Sequence, residues 1–274
     1  MIDETIYKIF RRGSRTYFYS TLFFPPRVRK DVFSLYSFVR TADDYVDAVP
    51  QQTDEFYAFT DRYAAAVSGE ATGDVVIESF VELSGRKAFD RAWITAFLSS
   101  MESDITVTSY RTIRDLEGYL YGSSEVVGLM MARVLDLAPA SYPAARGLGR
   151  AMQYVNFIRD IAEDLALGRT YFPAEEMEAF GLDDLSAAIA SRHPDRFAGF
   201  VRYQIRRYQA WQEEAETGFR YIPRRYRIPI RTASDMYRWT ARTIERDPAV
   251  VHRRKVKPSV LRIVSGATAN TLKA

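Results

Sequence analysis

The sequence contains no cysteine and only two histidines, His193 and His252, among its 274 residues. Without cysteine, disulfide bonds, thiolate nucleophiles and cysteine-ligated metal sites are excluded. Two histidines far apart in the sequence also exclude a histidine-rich metal site and disfavour a Ser-His-Asp triad. A metal bound by this chain is therefore expected to be a hard ion with oxygen ligands.

Long hydrophobic runs are missing as well. The best candidate, from Val126 to Leu135, is interrupted by Arg133, and no segment reaches the roughly 20 apolar residues that a membrane-spanning helix needs. The stretch from Met1 to Thr5 is acidic and lacks the apolar core of a signal peptide. These absences predict a cytoplasmic protein, with peripheral attachment to a membrane left open.

Neither sign of charge is in large excess, since the formal net charge is +3. Basic residues gather late in the chain, at 206–207, 224–227 and 252–255. Such runs usually form a solvated surface. The functional alternatives are phosphate binding or a membrane-surface patch. Because no nucleic-acid-binding motif is recognisable and the net charge is small, no nucleic-acid partner is predicted.

Hydrophobic and aromatic residues are abundant, at 47% and 14% of the chain. Proline and glycine recur at intervals typical of helices, and no period-2 strand pattern or repeat is present. We therefore expect an all-α protein with a single domain spanning residues 1–274. One helix is expected to end at Pro50, and the others lie at 53–67, 75–83, 88–101, 114–137, 144–167, 186–191, 196–217 and 231–246.

The most informative stretch is Gln153 to Asp164. Wound as an α-helix at about 100° per residue, it has one polar stripe roughly 80° wide on an otherwise apolar surface. The stripe consists of Gln153, Asn156, Asp160 and Asp164. A helix that is apolar nearly all round belongs in the interior, where two carboxylates are costly unless cations meet them.

An upstream helix carries a second stripe, in an arc of about 60°. It consists of Tyr36, Arg40, Asp43 and Asp47. Mg²⁺ binds one or two carboxylates together with the oxygens of a substrate phosphate, so two facing stripes predict a diphosphate held through several Mg²⁺ ions, with Mn²⁺ as an alternative. The competing interpretation, ordinary surface positions or salt bridges to Arg40 and Arg159, explains one stripe well and both together poorly.

Several blocks of this sequence resemble the signatures of the squalene/phytoene synthase family. They are Ser14–Tyr19, Leu35–Asp47, Tyr119–Gly128, Gln153–Asp164 and Gly168–Pro173, with looser matches at 218–237 and around Arg254. The two aspartate motifs in this order and spacing are specific, and the blocks cover nearly the whole chain. The resemblance implies the all-α isoprenoid synthase fold, with a central cavity and Mg²⁺ at its mouth.

The resemblance also implies a reaction, the head-to-head condensation of two identical prenyl diphosphates through a cyclopropylcarbinyl diphosphate. Loss of a proton then gives phytoene or dehydrosqualene, whereas hydride from NADPH gives squalene. The small Thr21, which with Phe33 resembles positions of the tail pocket, favours geranylgeranyl diphosphate and phytoene. Squalene or dehydrosqualene synthesis from farnesyl diphosphate is the alternative, and a non-catalytic assembly protein is disfavoured because the aspartates are intact.

The same resemblance assigns the site residues. The positions matching the metal ligands are Asp43, Asp47, Asn156, Asp160 and Asp164, and Tyr119 matches a tyrosine near the reacting carbons. The positions expected to contact substrate are Ser14, Tyr36, Arg40, Gln153, Arg159, Tyr237 and Arg254. Four alternatives stay open: a helix cap for Ser14, a salt bridge for Arg159, a core role for Tyr119, and Arg253 in place of Arg254. The oligomeric state is not indicated.

Overall fold

The computed structural model describes residues 2–273, which are mostly helical. The first eight helices are α1 (Glu4–Gly13), α2 (Arg15–Thr21), α3 (Pro26–Asp47), α4 (Thr53–Val67), α5 (Val75–Lys87), α6 (Arg91–Ser103), α7 (Ile113–Leu120) and α8 (Val126–Val134). The others are α9 (Tyr142–Arg159), α10 (Ile161–Ala166), α11 (Ala174–Ala179), α12 (Ala187–Arg192), α13 (Pro194–Glu216), α14 (Arg224–Arg246), α15 (Val250–Arg253) and α16 (Val260–Lys273). Two short parallel strands, β1 (Ser109–Tyr110) and β2 (Thr170–Pro173), pair with each other.

Local sequence signals account for many helix ends. Asp74 and Asp90 cap the first turns of α5 and α6 through their side chains, and Thr112 forms a capping box with Asp115 at α7. Pro26 stands in the first turn of α3, where its missing N–H costs nothing. Helix α4 has the predicted bounds, and α3 ends three residues before Pro50.

Two predicted helices need correction, and some elements were not predicted. The helix expected over 114–137 is two helices, α7 and α8, joined by a π-helical turn at Tyr121–Glu125, and the one expected over 144–167 is interrupted at Asp160. The all-α prediction is confirmed, and the two strands present, β1 and β2, are too short to show a period of two. Helix α16 was missed, since its sequence mixes small and polar residues with few large apolar ones.

Both stripe helices lie in the interior, as their composition predicts. On α3, the ring of Phe38 stacks on Phe80 of α5 with centroids 3.8 Å apart. On α9, Tyr154, Val155 and Ile158 are completely buried, and the helix packs against α8 and α13. Large apolar side chains thus cover each stripe helix on every side except the polar one.

None of the helices within residues 2–273 combines the length and apolar character of a transmembrane segment.

Candidate active site

The two polar stripes line one cavity of about 590 Å³. Helix α3 contributes Tyr36, Arg40, Asp43 and Asp47, while α9 and α10 contribute Gln153, Asn156, Asp160 and Asp164. Ser14, Tyr119, Arg159 and Tyr237 line the same cavity. The structure therefore brings together twelve of the thirteen residues predicted for the site, that is, all except Arg254.

The interruption of the second stripe helix falls on one of the predicted ligands. Asp160 has φ −101° and ψ 14°, which ends α9 and starts α10. The hydrogen-bond ladder nevertheless continues, because the Asp160 N–H donates to the Asn156 carbonyl and the Asp164 N–H donates to the Asp160 carbonyl, both at 2.8 Å. The stripe consequently keeps its phase across the interruption.

Basic side chains pair with most of these carboxylates. Arg40 contacts Asp43 at 2.7 Å, and Arg169 contacts Asp47 at 2.7 Å. Arg159 forms a two-point contact with Asp160 at 2.7 and 2.5 Å, and Lys255 lies 3.2 Å from Asp160. In this paired arrangement, no three acidic or histidine side chains of residues 2–273 are grouped closely enough to hold a metal ion.

Despite these ion pairs, two carboxylates, Asp43 and Asp164, have neighbouring negative charges that the basic side chains do not fully compensate. Burial and the charge of Asp47 raise the pKa of Asp43 to about 7. Burial, followed by the charges of Asp160 and Asp47, raises the pKa of Asp164 well above its ordinary value. Since Asp47 of the first stripe acts on carboxyls of both stripes, the two acidic rows are close enough to repel each other.

Asp160 differs from these two. Its burial opposes ionisation, but Arg159 and Lys255 outweigh burial and hold its pKa below the ordinary value. Asp160 is therefore the carboxylate with the most complete cationic compensation in the second stripe.

Asn156 supplies an observation that points to a cation. Its side-chain amide donates to Gln153 Oε1 at 3.2 Å, whereas its Oδ1 atom is buried without a hydrogen-bond partner. A buried acceptor without a donor is costly. An amide oxygen beside carboxylates whose pKa values are raised is a donor set suited to a hard divalent ion, so the residues present fit Mg²⁺.

Gly13 makes room for two members of the first stripe. A Cβ atom at this position would lie 2.5 Å from the Tyr36 hydroxyl and 3.0 Å from Arg40 Cγ. The next residue, Ser14, accepts a hydrogen bond from the Tyr17 N–H at 3.2 Å and so caps α2. The cap interpretation of Ser14 is confirmed. A contact of Ser14 with substrate stays a prediction, and it is compatible with the cap because the residue also lines the cavity.

The late basic residues are placed differently from the prediction. Arg254 is exposed and lies outside the cavity lining, as does Arg253, which pairs with Asp247. Lys255 and Lys257 line the cavity instead. Arg254 has extended backbone angles, φ −166° and ψ 149°, and alternate residues of an extended chain point to opposite sides. The sequence match in this region is loose, and the cavity lining favours Lys255 and Lys257 over Arg254.

A group of buried polar residues beside Tyr119 was not predicted. The Tyr119 hydroxyl donates to Asp104 Oδ2 at 2.6 Å, and the Tyr171 hydroxyl donates to Asp104 Oδ1 at 3.0 Å. Arg169, which holds Asp47, also donates to the Val46 carbonyl at 2.6 Å. The block 168–173 pointed to this region, but no sequence signal distinguishes Asp104 from an ordinary residue at a helix end.

The other end of the cavity is apolar. Its lining includes Phe24, Leu135, Leu137, Phe219, Ile222 and Ile230. Thr21 is part of the lining, as expected for the tail pocket, but Phe33 is not. Phe33 is completely buried and packs its ring against Phe10, with centroids 4.7 Å apart. The cavity thus joins a charged region to a mainly hydrophobic one.

Comparison with known sequences gives a consistent result. The family model described as squalene/phytoene synthase matches residues 10–262. Phytoene synthase 3 of Zea mays is 28% identical over 248 residues, covering 87% of this chain and 58% of the relative. A 15-cis-phytoene synthase of Synechococcus elongatus is 27% identical, covering 92% of this chain and 86% of the relative. The chain thus spans little more than half the length of the plant relatives.

Solved structures agree on the fold. A dehydrosqualene synthase superposes with a TM-score of 0.87 at 22% identity, covering 98% of this chain and 94% of the other. A squalene synthase from Alicyclobacillus acidocaldarius superposes with a TM-score of 0.76 at 23% identity, covering 89% and 92%. The expected all-α isoprenoid synthase fold with a central cavity is confirmed. With a family model matching nearly its full length, the chain belongs to the squalene/phytoene synthase family.

Proposed function

We propose that this chain is a prenyltransferase that condenses two prenyl diphosphates head to head. The observation that carries the proposal is the cavity itself, which has two facing acidic stripes at one end and mainly apolar side chains at the other. A prenyl diphosphate has the same division, with a charged head and a hydrocarbon tail. A cavity of about 590 Å³ also lies in the range of small-molecule sites.

Mg²⁺ is part of the proposal, as the family generally uses a divalent metal. Asp43, Asp47, Asn156, Asp160 and Asp164 would hold it, with Mn²⁺ as an alternative ion. When bound, it supplies Lewis-acid stabilisation of the charge that develops on a departing diphosphate. The unpartnered Asn156 Oδ1 and the raised pKa of Asp43 support this assignment.

The basic side chains of the site have a different role from that of the metal ion. Arg40 and Arg159 are planar donors suited to phosphate oxygens, and Lys255 and Lys257 add positive charge at the same end of the cavity. Tyr36, Gln153, Tyr237 and Ser14 complete the polar lining as substrate contacts. The apolar end holds the hydrocarbon tails and excludes water, which protects a carbocation from premature hydrolysis.

Geranylgeranyl diphosphate is the proposed substrate and phytoene the product, formed through a cyclopropylcarbinyl diphosphate. The sequence relatives named as phytoene synthases and the small Thr21 in the lining support this choice. The alternative, squalene or dehydrosqualene from farnesyl diphosphate, has support from the names of the structural relatives. NADPH belongs to the reaction only if squalene is the product.

A product assay distinguishes these possibilities. The protein is incubated with Mg²⁺ and either farnesyl or geranylgeranyl diphosphate, each with and without NADPH, and the extracted hydrocarbons are identified by mass spectrometry. We expect phytoene from the longer substrate, independent of NADPH. A larger yield of a C30 hydrocarbon would select the alternative, and the absence of any head-to-head product would contradict the proposed function.

Peripheral attachment to a membrane is also proposed, because the expected products are insoluble in water. Helix α16 exposes 78% of Leu261 and 84% of Leu272, with Arg262 beside them. Co-sedimentation with anionic vesicles should weaken in a Leu261→Ser/Leu272→Ser variant. Val49→Ser serves as the control, since Val49 is 81% exposed elsewhere. Equal sedimentation of all three proteins would contradict a role for α16, and the cytoplasmic location stays a prediction.

A further inference from the structure

Asp104 is a buried carboxylate that the proposed reaction does not use directly. Only 4% of its surface is exposed, and it does not line the cavity. Tyr119 and Tyr171 do line it, and both donate their hydroxyl hydrogens to the Asp104 carboxylate, at 2.6 and 3.0 Å. Because an ionised carboxylate has no hydrogen to give, both hydroxyls must be the donors.

This arrangement fixes what the two tyrosines can offer a ligand. A phenol has one hydrogen, so a tyrosine that donates to Asp104 cannot also donate to a group in the cavity. What it can offer a ligand is its ring and any lone pair of its oxygen that is still free, and the Tyr171 oxygen already accepts from Arg169 Nη1 at 3.4 Å. These are suited to a cation and unsuited to a diphosphate.

The neighbouring ring extends the same surface. Phe157 lines the cavity and stacks on Tyr171 with centroids 4.1 Å apart, and Tyr119 lies 5.4 Å from Tyr171. The faces of aromatic rings attract cations through the ring quadrupole. A negative charge behind the rings, hydrogen-bonded to two of them, polarises the hydroxyls and strengthens that attraction.

The position of Asp104 is fixed by its surroundings. Gln51 donates through Nε2 to both the Asp104 carbonyl, at 2.9 Å, and the Val46 carbonyl, at 3.0 Å. Burial raises the pKa of the Asp104 carboxyl to about 6, although Tyr119 and Arg169 oppose this shift. At neutral pH the group is therefore mostly ionised, and its two oxygens accept from one tyrosine each.

We propose that Asp104 is a positioning residue of this site, which turns the hydroxyl hydrogens of Tyr119 and Tyr171 away from the cavity and makes that wall selective for a carbocation. The inference rests on the proposed function, since it assumes that a prenyl cation forms between the two acidic stripes. On this proposal, one side of the charged region binds an anion and the other side stabilises a cation. The cations Arg40, Arg159 and Lys255 bind the leaving diphosphate, and the wall backed by Asp104 stabilises the positive carbon.

The test compares two ligands that differ only in charge. One is a prenyl chain ending in a tertiary ammonium group, and the other is the same chain with an uncharged carbon in place of the nitrogen. Their dissociation constants are measured by calorimetry with inorganic diphosphate and Mg²⁺ present. We expect the native protein to prefer the ammonium ligand and Asp104→Asn to lose roughly tenfold of that preference, as one unit charge at several ångströms would produce in a protein interior.

A matched control separates this effect from a loss of stability. Asp31 is also a buried carboxylate, 2% exposed and bonded to Arg86 at 2.7 Å, but it does not line the cavity. Asp31→Asn should lower the melting temperature and leave the preference for the ammonium ligand unchanged. If Asp104→Asn does not fold, Tyr119→Phe/Tyr171→Phe removes the same hydrogen bonds and should show the same loss of preference.

A double-mutant cycle identifies the route of the effect. If Asp104 acts through Tyr119, the combined Asp104→Asn/Tyr119→Phe variant should lose less preference than the sum of the single variants. An unchanged ligand preference in Asp104→Asn would overturn the inference. That result would leave the proposed function intact if the native protein still forms a head-to-head hydrocarbon, whereas absence of that hydrocarbon would refute the proposed function instead.

Discussion

Among single residues, Asp43 and Asp160 show how similar carboxyls acquire different properties. Burial and the neighbouring Asp47 oppose ionisation of Asp43, whereas Arg159 and Lys255 favour it at Asp160. Both line the cavity. The difference in their surroundings means that a bound cation would relieve more repulsion at Asp43 than at Asp160.

The first prediction concerns these two residues. Asp43→Asn and Asp160→Asn preserve shape and remove one negative charge each, so we expect turnover to fall at least about 100-fold because ligands of the metal are lost. Circular dichroism should show an unchanged helical content. Asp31→Asn is the control, since Asp31 bonds to Arg86 and lies outside the cavity lining. Full activity in both variants would contradict the metal site.

The second prediction concerns Gly13. An added methyl group at Gly13→Ala would overlap the Tyr36 hydroxyl, which lies 2.5 Å from the Cβ position, and press on Arg40. Displacing these groups should raise KM for the prenyl diphosphate by roughly tenfold, as expected when a charge-assisted contact is weakened. Gly118→Ala is the comparison, because no atom lies within 4 Å of its Cβ position. Equal KM values for both variants would exclude a tight fit at Gly13.

Site residues that share a helix face can be predicted from the sequence, whereas those that do not share one cannot. Asp43 and Asp47, or Asn156 and Asp160, are recognisable because helical periodicity sets their relative directions. Lys255 follows a short helix in extended chain, and Asp104 reaches Tyr119 only through the packing of α6 on the segment that follows α7. Contacts of this kind depend on tertiary structure and leave no periodic pattern.

At the scale of secondary-structure elements, the sequence identified most of the long helices and missed how they are joined. The π-helical turn between α7 and α8 lets Gly122 approach α6, where a Cβ atom would lie 2.3 Å from the Ala96 carbonyl oxygen. The interruption at Asp160 keeps its hydrogen bonds. Neither feature involves proline, so apolar periodicity continues through both and predicts an uninterrupted helix.

The third prediction concerns the contact of α9 with the end of the π-helical turn. A Cβ atom at Gly149 would lie 2.3 Å from the Ser124 carbonyl oxygen. Since backbone cannot move as a flexible side chain does, Gly149→Ala should destabilise the fold by about 3 kcal/mol, which lowers the melting temperature by roughly 6–12 °C for a chain of this size.

Gly85→Ala provides the matched control for Gly149→Ala. Gly85 lies in α5 with nothing within 4 Å of its Cβ position. Alanine favours the helix by up to about 1 kcal/mol over glycine, so this variant should melt at the same or a higher temperature. Calorimetry of both proteins checks the pair. Similar melting temperatures would show that α9 can shift without cost.

For the whole molecule, the family and the fold follow from the sequence blocks, while the extent of charge pairing does not. Arg40, Arg159, Arg169 and Lys255 all bind carboxylates of the site. The single domain over residues 1–274 stays a prediction. Because basic side chains compensate the charges of some site carboxylates and not others, the stability of the whole chain should depend on pH and on divalent ions.

The fourth prediction follows from the pKa of Asp43, about 7 in the folded protein against about 4 in an unfolded chain. Between these values the folded state binds more protons than the unfolded state, so the free energy of unfolding falls as pH rises toward 7. Asp164 acts in the same direction. Without divalent ions, the melting temperature of the native protein should therefore decrease, relative to Asp43→Asn, as the pH rises through this range.

Added Mg²⁺ should oppose this decrease in melting temperature at higher pH. A cation that binds only the folded state adds stability according to its affinity, and its affinity is greatest once the carboxylates have lost their protons. The increase in melting temperature on adding Mg²⁺ should thus be small below about pH 6 and largest above about pH 7.5, and it should shrink in Asp43→Asn. Scanning fluorimetry across this range, with Asp31→Asn as the unaffected comparison, measures the effect. An equal Mg²⁺ increment at every pH would show that the ion binds somewhere other than between the two acidic stripes.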